Sequence, residues 1–394
     1  MPTKAAIAAV YLAALCQGLT LVAVPALSPV LKGTLRLSDS AYGAVFLPQV
    51  AATAIAALLG GFLARRFSLK ALLVMALIAN AGAEMLLLLA PGAGAQVFPL
   101  VFASCACLGV GFGLGAAPLN SLPRLLFSTR GDVALVALHT ALGAGLCLGP
   151  LLAGHAVMSG AWTAYPALLA GFALVLTALT SRLNLPRLTA ATSIATPAVR
   201  GGDCGLLVVI AVLYAFAEGT FSNWAITYLN EDRGIDAGTA ALALSVFWGA
   251  LVLGRLLISA LIVRVRAAVI WQCLPLLMIA VFGALPYVTS AAGGLLIFAA
   301  AGAACSAFFP LTVARASARF SGNEALMGSI MTAALMLGIG AGTFVIAPLR
   351  NLFGLPALYH YSIAYPLIVF CLCRIEQGRG LTYFATTRRA EINP

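Results

Sequence analysis

An acid, Glu218, and a base, Arg255, stand within long apolar stretches of this sequence, and His139 and Glu84 share that setting. Charges are costly away from water, so such groups persist where a proton or a polar solute is handled, or where a partner neutralises them. Glu218 shares one face at helical spacing with Tyr214, Phe221 and Ser222, a polar and aromatic stripe suited to a cavity wall. Arg255 shares its own face with Ser245, Trp248 and Ser259. Protonating Glu218 would break an ion pair with Arg255 and so bias one of two conformations. Their axial offset of about 8 Å leaves Arg255 the alternative of extending to the polar interface. Histidine is the side chain whose ordinary titration range spans neutrality, and His139 precedes a glycine run by one turn, a setting that also suits a structural histidine. Glu84 follows Asn80 by one turn and serves either a structural hydrogen bond or a coupling role.

Four uncharged amides, Gln17, Gln49, Asn120 and Asn223, sit in the same stretches. They are suited to binding a polar solute, or to the usual work of buried amides, which is bonding helix to helix. Phe221, Trp224, Phe247 and Trp248 either line a cavity or face lipid.

The elements that carry these residues follow from composition. Of 394 residues, 62% are hydrophobic and only 8% charged, too little charge to cover a water-facing surface. Within a bilayer, backbone groups must pair internally, which leaves helices or closed barrels. Unbroken apolar runs of about twenty residues fit helices, not the alternation of barrel strands. Charge and turn residues mark spans near 5–31, 41–64, 70–91, 97–121, 132–158 and 162–183, then 205–230, 238–263, 268–288, 293–317, 327–350 and 355–376. The predicted fold is an all-α membrane protein of twelve transmembrane helices in two pseudo-symmetric six-helix bundles. Residues 1–183 form the first bundle and 205–377 the second. A Pro-, Arg- and Thr-containing linker covers 184–204 and a tail 378–394. Lys4 followed by an apolar run resembles a signal peptide, but the run continues past Pro25 and reads as the first span.

The formal charge of +11 does not signal a nucleic-acid partner, because the cations cluster between spans. Seventeen of the 22 Lys and Arg fall on one side; Lys32, Arg36, Arg233 and Arg350 fall on the other, and Arg255 lies within a span. By the positive-inside rule both termini are cytoplasmic, in a multi-pass protein of the inner membrane. Eight of nine cysteines lie in spans, and the Cys105/Cys107 and Cys371/Cys373 pairs point apart, so neither disulfides nor a metal site is expected. Gly109-Val-Gly111-Phe-Gly113-Leu-Gly115 follows no strand and is no nucleotide loop; such glycines let helices approach and slide. Met327 and Met331 share a face, which raises soft-metal transport but reads first as core packing. No cofactor is expected, and no clustered His/Asp/Glu set suggests an enzyme.

The two halves echo each other about 190–200 residues apart. Ala117-Pro118-Leu119 is echoed by Phe309-Pro310-Leu311, and Gln17-Gly18 by Glu218-Gly219. Leu142-Gly143-Ala144-Gly145 is echoed by Leu337-Gly338-Ile339-Gly340. Paired halves of this kind frame a solute site near the bilayer midplane. The whole chain resembles the major facilitator superfamily. Gly61-Phe-Leu-Ala-Arg65-Arg66-Phe-Ser-Leu-Lys70 resembles its signature loop between spans two and three, with Arg65 where the family usually has Asp and Ser68 where it has Gly. Gly145-Leu-Cys-Leu-Gly149-Pro150 is similar to the fifth-span motif common in its exporters. Glu218-Gly219 through Asn223-Trp224 looks like the seventh span of the fucose-permease-like branch. That branch's membrane carboxylates in spans one and four are replaced here by Gln17 and Asn120. The usual fourth-span Arg of proton-coupled members is absent from 101–109.

The resemblance implies a secondary active transporter working by alternating access, coupled to protons and acting as a monomer on a small organic solute. The fifth-span motif tilts the expectation toward efflux, and proton-coupled uptake of a sugar-like or other polar solute is the alternative. Arg65 in place of Asp also keeps open a receptor or assembly protein that has lost transport.

Overall fold

Lipid offers no hydrogen bonds to a peptide group, so each apolar stretch must close its bonds along itself. The computed structural model describes residues 3–127, 131–186, 201–320 and 324–392. In the first half the spans are α1 (Lys4–Leu21), α2 (Phe46–Arg66), α3 (Leu69–Leu88), α4 (Val97–Leu126), α5 (Gly131–Met158) and α6 (Ala164–Arg182). In the second they are α7 (Gly201–Thr227), α8 (Ala237–Leu261), α9 (Ala267–Ala284), α10 (Ala291–Arg319), α11 (Glu324–Tyr361) and α12 (Ala364–Ile392).

Among the described residues, eleven stretches are long and apolar enough to cross a membrane, but the last, Ile330–Gly378, has 49 residues, more than twice what one crossing needs. It breaks at Gly354, whose φ of 71° ends a right-handed helix, and again at 362–363 before α12. It therefore crosses twice, which makes the twelve spans that the sequence predicts.

Side chains finish the exposed ends. Thr3, Ser38, Ser68, Asp236 and Ser290 each accept from a backbone N–H two or three residues into the helix that follows. Three departures from the expected spans have local causes. The first span stops at Leu21 and continues as the short helix Ala23–Ala26 and a wide turn over Val30–Thr34, because Pro25 and Pro29 interrupt the ladder. The tenth is broken between Cys305 and Phe308. The expected tail begins as a continuation of α12, which runs past the apolar stretch to Ile392. Most of the expected linker, 187–200, lies outside the described residues.

Within each half several helix pairs meet backbone to backbone, among them α1 with α5 in the first. A Cβ on Gly18 of α1 would lie 2.0 Å from Leu142 O of α5, and one on Gly145 would lie 2.2 Å from Leu15 O. The second half repeats this between α7 and α11: Gly219 meets Ile339 O at 2.5 Å and Gly342 meets Phe216 O at 2.2 Å. Between halves, Gly143 faces Val252 of α8 while Gly340 faces Val50 of α2. These contacts pair Gly143 with Gly340 and Gly145 with Gly342, two residues along from the register that sequence similarity suggests. Glycine at 338, 340 and 342 matches the first half in either register, and only packing selects between them.

Because a side chain cannot enter the α1–α5 crossing, Gly145→Leu is expected to cost about 2 kcal/mol or more. Thermal denaturation in detergent should show a lower midpoint than for Ala144→Leu, and an equal midpoint would count against the crossing.

Candidate functional site

The site grows from one missing hydrogen bond. Pro310 has no N–H, so Ser306 O lacks the donor that an unbroken α10 would supply. The guanidinium of Arg255 replaces it, with Nε donating to Ser306 O at 2.8 Å. One residue earlier, Cys305 O is freed by the same break and accepts from the Tyr214 hydroxyl at 2.8 Å. Gly254 lets α8 come this close, since a Cβ there would lie 2.6 Å from Ser306 Cβ. Glu218, one turn along α7 from Tyr214, is 7% exposed; its carboxylate interacts with the Tyr214 hydroxyl and with the charge of Arg255. Among the described residues no Glu218–Arg255 pair closes to salt-bridge distance; Arg255 is held by backbone instead. Tyr214, Glu218 and Arg255 thus converge on the break in α10.

Across from them on the first half stand His139 of α5 and Asn120 of α4. Asn120 donates to Ala116 O at 2.8 Å, which turns its carbonyl oxygen toward His139 Nε2 at 3.2 Å. Both residues are exposed, Arg255 is half-buried, and the Arg255 charge acts on His139. These groups lie at the midplane or toward the end of the bundle that carries Lys70, Arg182, Arg264 and Arg319, here called the basic end.

The halves meet from the midplane to the opposite end. Gly143–Val252, Gly154–Ala241 and Met158–Gly238 join α5 to α8, and Gly340–Val50 and Ala347–Gly43 join α11 to the start of the second span. Beyond them Tyr42 donates to Asn223 O at 2.8 Å and sits edge-on to Trp224, with ring centroids 5.2 Å apart. Asn223 and Trp224 are held in turn by Thr343, through its hydroxyl at 2.7 Å and its carbonyl at 3.0 Å. Outermost is an ion cluster across the interface. Lys32 Nζ lies 2.6 Å from both Asp39 and Glu231; Arg350 lies 2.7 Å from Asp39, 2.8 Å from Glu231 and 3.1 Å from Asp232. The hydrogen bonds and ion pairs between halves named here all belong to this end.

The other sequence candidates go elsewhere. Gln17 is buried inside the first half, where its Oε1 accepts from Asn80 Nδ2 at 3.2 Å. Glu84 is buried one turn further along α3, and neither carboxyl oxygen has a hydrogen-bond partner. Phe221 packs in the second-half core against Phe247, Phe282, Phe298 and Tyr359. Gln49 and Trp248 are half-buried, and the Trp248 indole N–H is unpartnered. In the loop motif, Lys70 closes the end of α6 by donating to Ser181 O and Leu183 O at 2.8 and 3.0 Å. Arg66 is exposed, and Gly61 and Arg65 have side-chain positions outside the described set. Gly149 packs on Val22 and the Tyr165 hydroxyl, one residue before Pro150 of α5. Sequence reasoning missed Tyr42, Thr343 and the ion cluster; four of its minority-side cations marked the right end, but the acids looked like ordinary loop residues.

Residues 10–200 match the family model of the Major Facilitator Superfamily. The nucleoside transporter NupG superimposes with a TM-score of 0.74 at 13% identity, over 95% of this chain and 99% of that one. The chain has the major facilitator fold. The D-xylose–proton symporter aligns at a TM-score of 0.70 and 17% identity, over 94% of this chain and 95% of that one. A bacterial homologue of the human lysosomal transporter Spinster, inward-facing and occupied, aligns at 0.73 and 13% identity, over 94% and 95%. Comparison with curated protein sequences yields no match. The solved structures named here are those of transporters. The fucose-permease-like branch is not singled out by these likenesses.

Arg255→Met leaves the Ser306 carbonyl without a donor, at an expected cost of about 2 kcal/mol. Pro310→Ala restores a backbone N–H at the break, so the same substitution should cost markedly less in that background. Denaturation midpoints of the four proteins test this, and an equal penalty in both backgrounds would sink the assignment.

Proposed function

We propose that this chain is a secondary transporter that moves a small polar organic solute by alternating access, and that its structure is the cytoplasm-open state. One observation carries the reading: the halves seal from the midplane outward, while Asn120, His139 and Arg255 stand around the unsealed side. The cation bias supports that side being cytoplasmic, with both termini on it, in an inner membrane. The inward-facing Spinster homologue supports the same sense of opening.

The cavity offers mostly donors. The remaining nitrogens of Arg255, the His139 ring and the Asn120 amide suit a solute rich in hydroxyl or carboxylate oxygens. Glu218 serves as the coupling acid. A proton on its carboxyl removes a negative charge beside Tyr214 and Arg255, the two side chains that hold the break in α10, and so biases the equilibrium between cavity states. The Gly149-Pro150 element favours efflux. Proton-coupled uptake is the second reading, supported by the likeness to the D-xylose–proton symporter.

Two outcomes are expected. In proteoliposomes, radiolabelled pentoses, hexoses, nucleosides and amphipathic drugs are screened by counterflow. Glu218→Gln should retain exchange of the active compound but lose accumulation driven by a pH gradient. Unchanged pH-driven accumulation would remove Glu218 from coupling, and absence of exchange across a broad panel would favour a non-transporting receptor.

Loss of the outer lock is tested separately. Lys32→Gln with Arg350→Gln removes both cations that bridge the halves. At roughly 1 kcal/mol for each bridge, the outward-open population should rise by about tenfold or more. Spin-label distances between the loops near 36 and 233 report it, and an unshifted distribution would mean that the aromatic seal alone holds the end closed.

A further inference from the structure

A second cation site lies away from the cavity, where the basic ends of α9 and α10 meet. A hollow of about 200 Å³ is lined by Ala267, Trp271, Leu311, Ala314, Arg315 and Ala318. We propose that it is a binding site for the phosphate headgroup of an anionic phospholipid.

Four observations converge on it. The Arg315 guanidinium is stacked over the Trp271 ring, 4.4 Å from its centroid, so the plane is fixed while its edges stay free. Trp271 is itself locked, donating to Thr312 Oγ1 at 2.8 Å and stacking on Phe308 at 5.7 Å. Arg315 Nε is buried without a hydrogen-bond partner. The carboxylate described on α12, Glu376, is committed to Arg319 through both oxygens, at 2.8 and 2.9 Å. Among the described residues Arg315 thus has no carboxylate partner, and a phosphate oxygen would satisfy its charge.

The surroundings suit the rest of a lipid. Ala267 is the first residue of α9, whose cap residue Arg266 supplies no side-chain bond, so the first amides of that helix add to the positive field. Arg264 and Arg266 follow on the exposed loop beside it. Leu311, Ala314 and Ala318 form an apolar wall, with Ala314 and Ala318 exposed, along which an acyl chain can lie. A basic pocket between helices at the cytoplasmic level, apolar toward the membrane core, has the chemistry of headgroup capture. A soluble phosphate would use the cation and leave the wall uncovered.

The test uses delipidated full-length protein in neutral detergent, titrated with short-chain phosphatidylglycerol, short-chain phosphatidylcholine and inorganic phosphate. Binding is followed by native mass spectrometry and by tryptophan emission. Phosphatidylglycerol is expected to bind about tenfold or more tightly than phosphatidylcholine, and Arg315→Gln to abolish that preference. Trp271→Phe keeps the charge but loses the better stacking surface, and should weaken phosphatidylglycerol binding less than Arg315→Gln does; it tests the site should the arginine variant fold poorly. An unchanged preference in Arg315→Gln would overturn the proposal. So would inorganic phosphate binding as tightly as the lipid, which would make this a soluble-anion site.

Discussion

Every backbone carbonyl inside a bilayer needs a donor, and this protein spends its tyrosines on that need. Six of them donate to main-chain oxygens of another segment: Tyr11 to Ala134, Tyr42 to Asn223, Tyr165 to Leu19, Tyr214 to Cys305, Tyr228 to Leu285, and Tyr359 to Thr220 and Phe221. A hydroxyl on a rigid aromatic stem crosses the gap between helices and buries its ring on the way. Where a helix is already broken, this changes from a supplement to a necessity. At Pro310 the missing N–H is replaced by side chains of α7 and α8, so the shape of α10 depends on groups that also feel Glu218.

That dependence sets how stiff α10 is. A continuous helix bends only by stretching its ladder, whereas here the interruption already exists and is bridged by Arg255 and Tyr214. The cost of changing the angle between Ala291–Cys305 and Phe308–Arg319 therefore sits in two side-chain bonds. The first half differs at the equivalent place: Pro118 lies inside α4 without breaking it. Pseudo-symmetry in packing coexists with asymmetry in chemistry.

Much of this was legible in the sequence, and the reason is physical. Spans and their ends follow from hydropathy and capping residues, which are local. The repeat was visible because glycine is required wherever α1 meets α5 and α7 meets α11, although its register was ambiguous among evenly spaced glycines. Which face of a helix looks at the cavity was not legible. In a soluble helix polarity marks the outward face, but here lipid-facing and neighbour-facing sides are alike in composition. Gln17 and Glu84 therefore read like cavity groups and turned out to lie inside the first half. The partnership of Arg255 with Ser306 joins residues 51 apart through a bond that is absent rather than present, and no periodicity announces it.

The ion cluster at the sealed end divides in an instructive way. Lys32 and Asp39 belong to the first half, and Arg350, Glu231 and Asp232 to the second. When the halves part, only Lys32–Glu231 and Arg350–Asp39 must separate. Lys32 still has Asp39, and Arg350 still has Glu231 and Asp232. Opening is thus a change of partners rather than a separation of charges, and neither cation is left bare at the mouth. A clasp built in this way would hold a closed form without trapping it, because each half carries its own counter-ions.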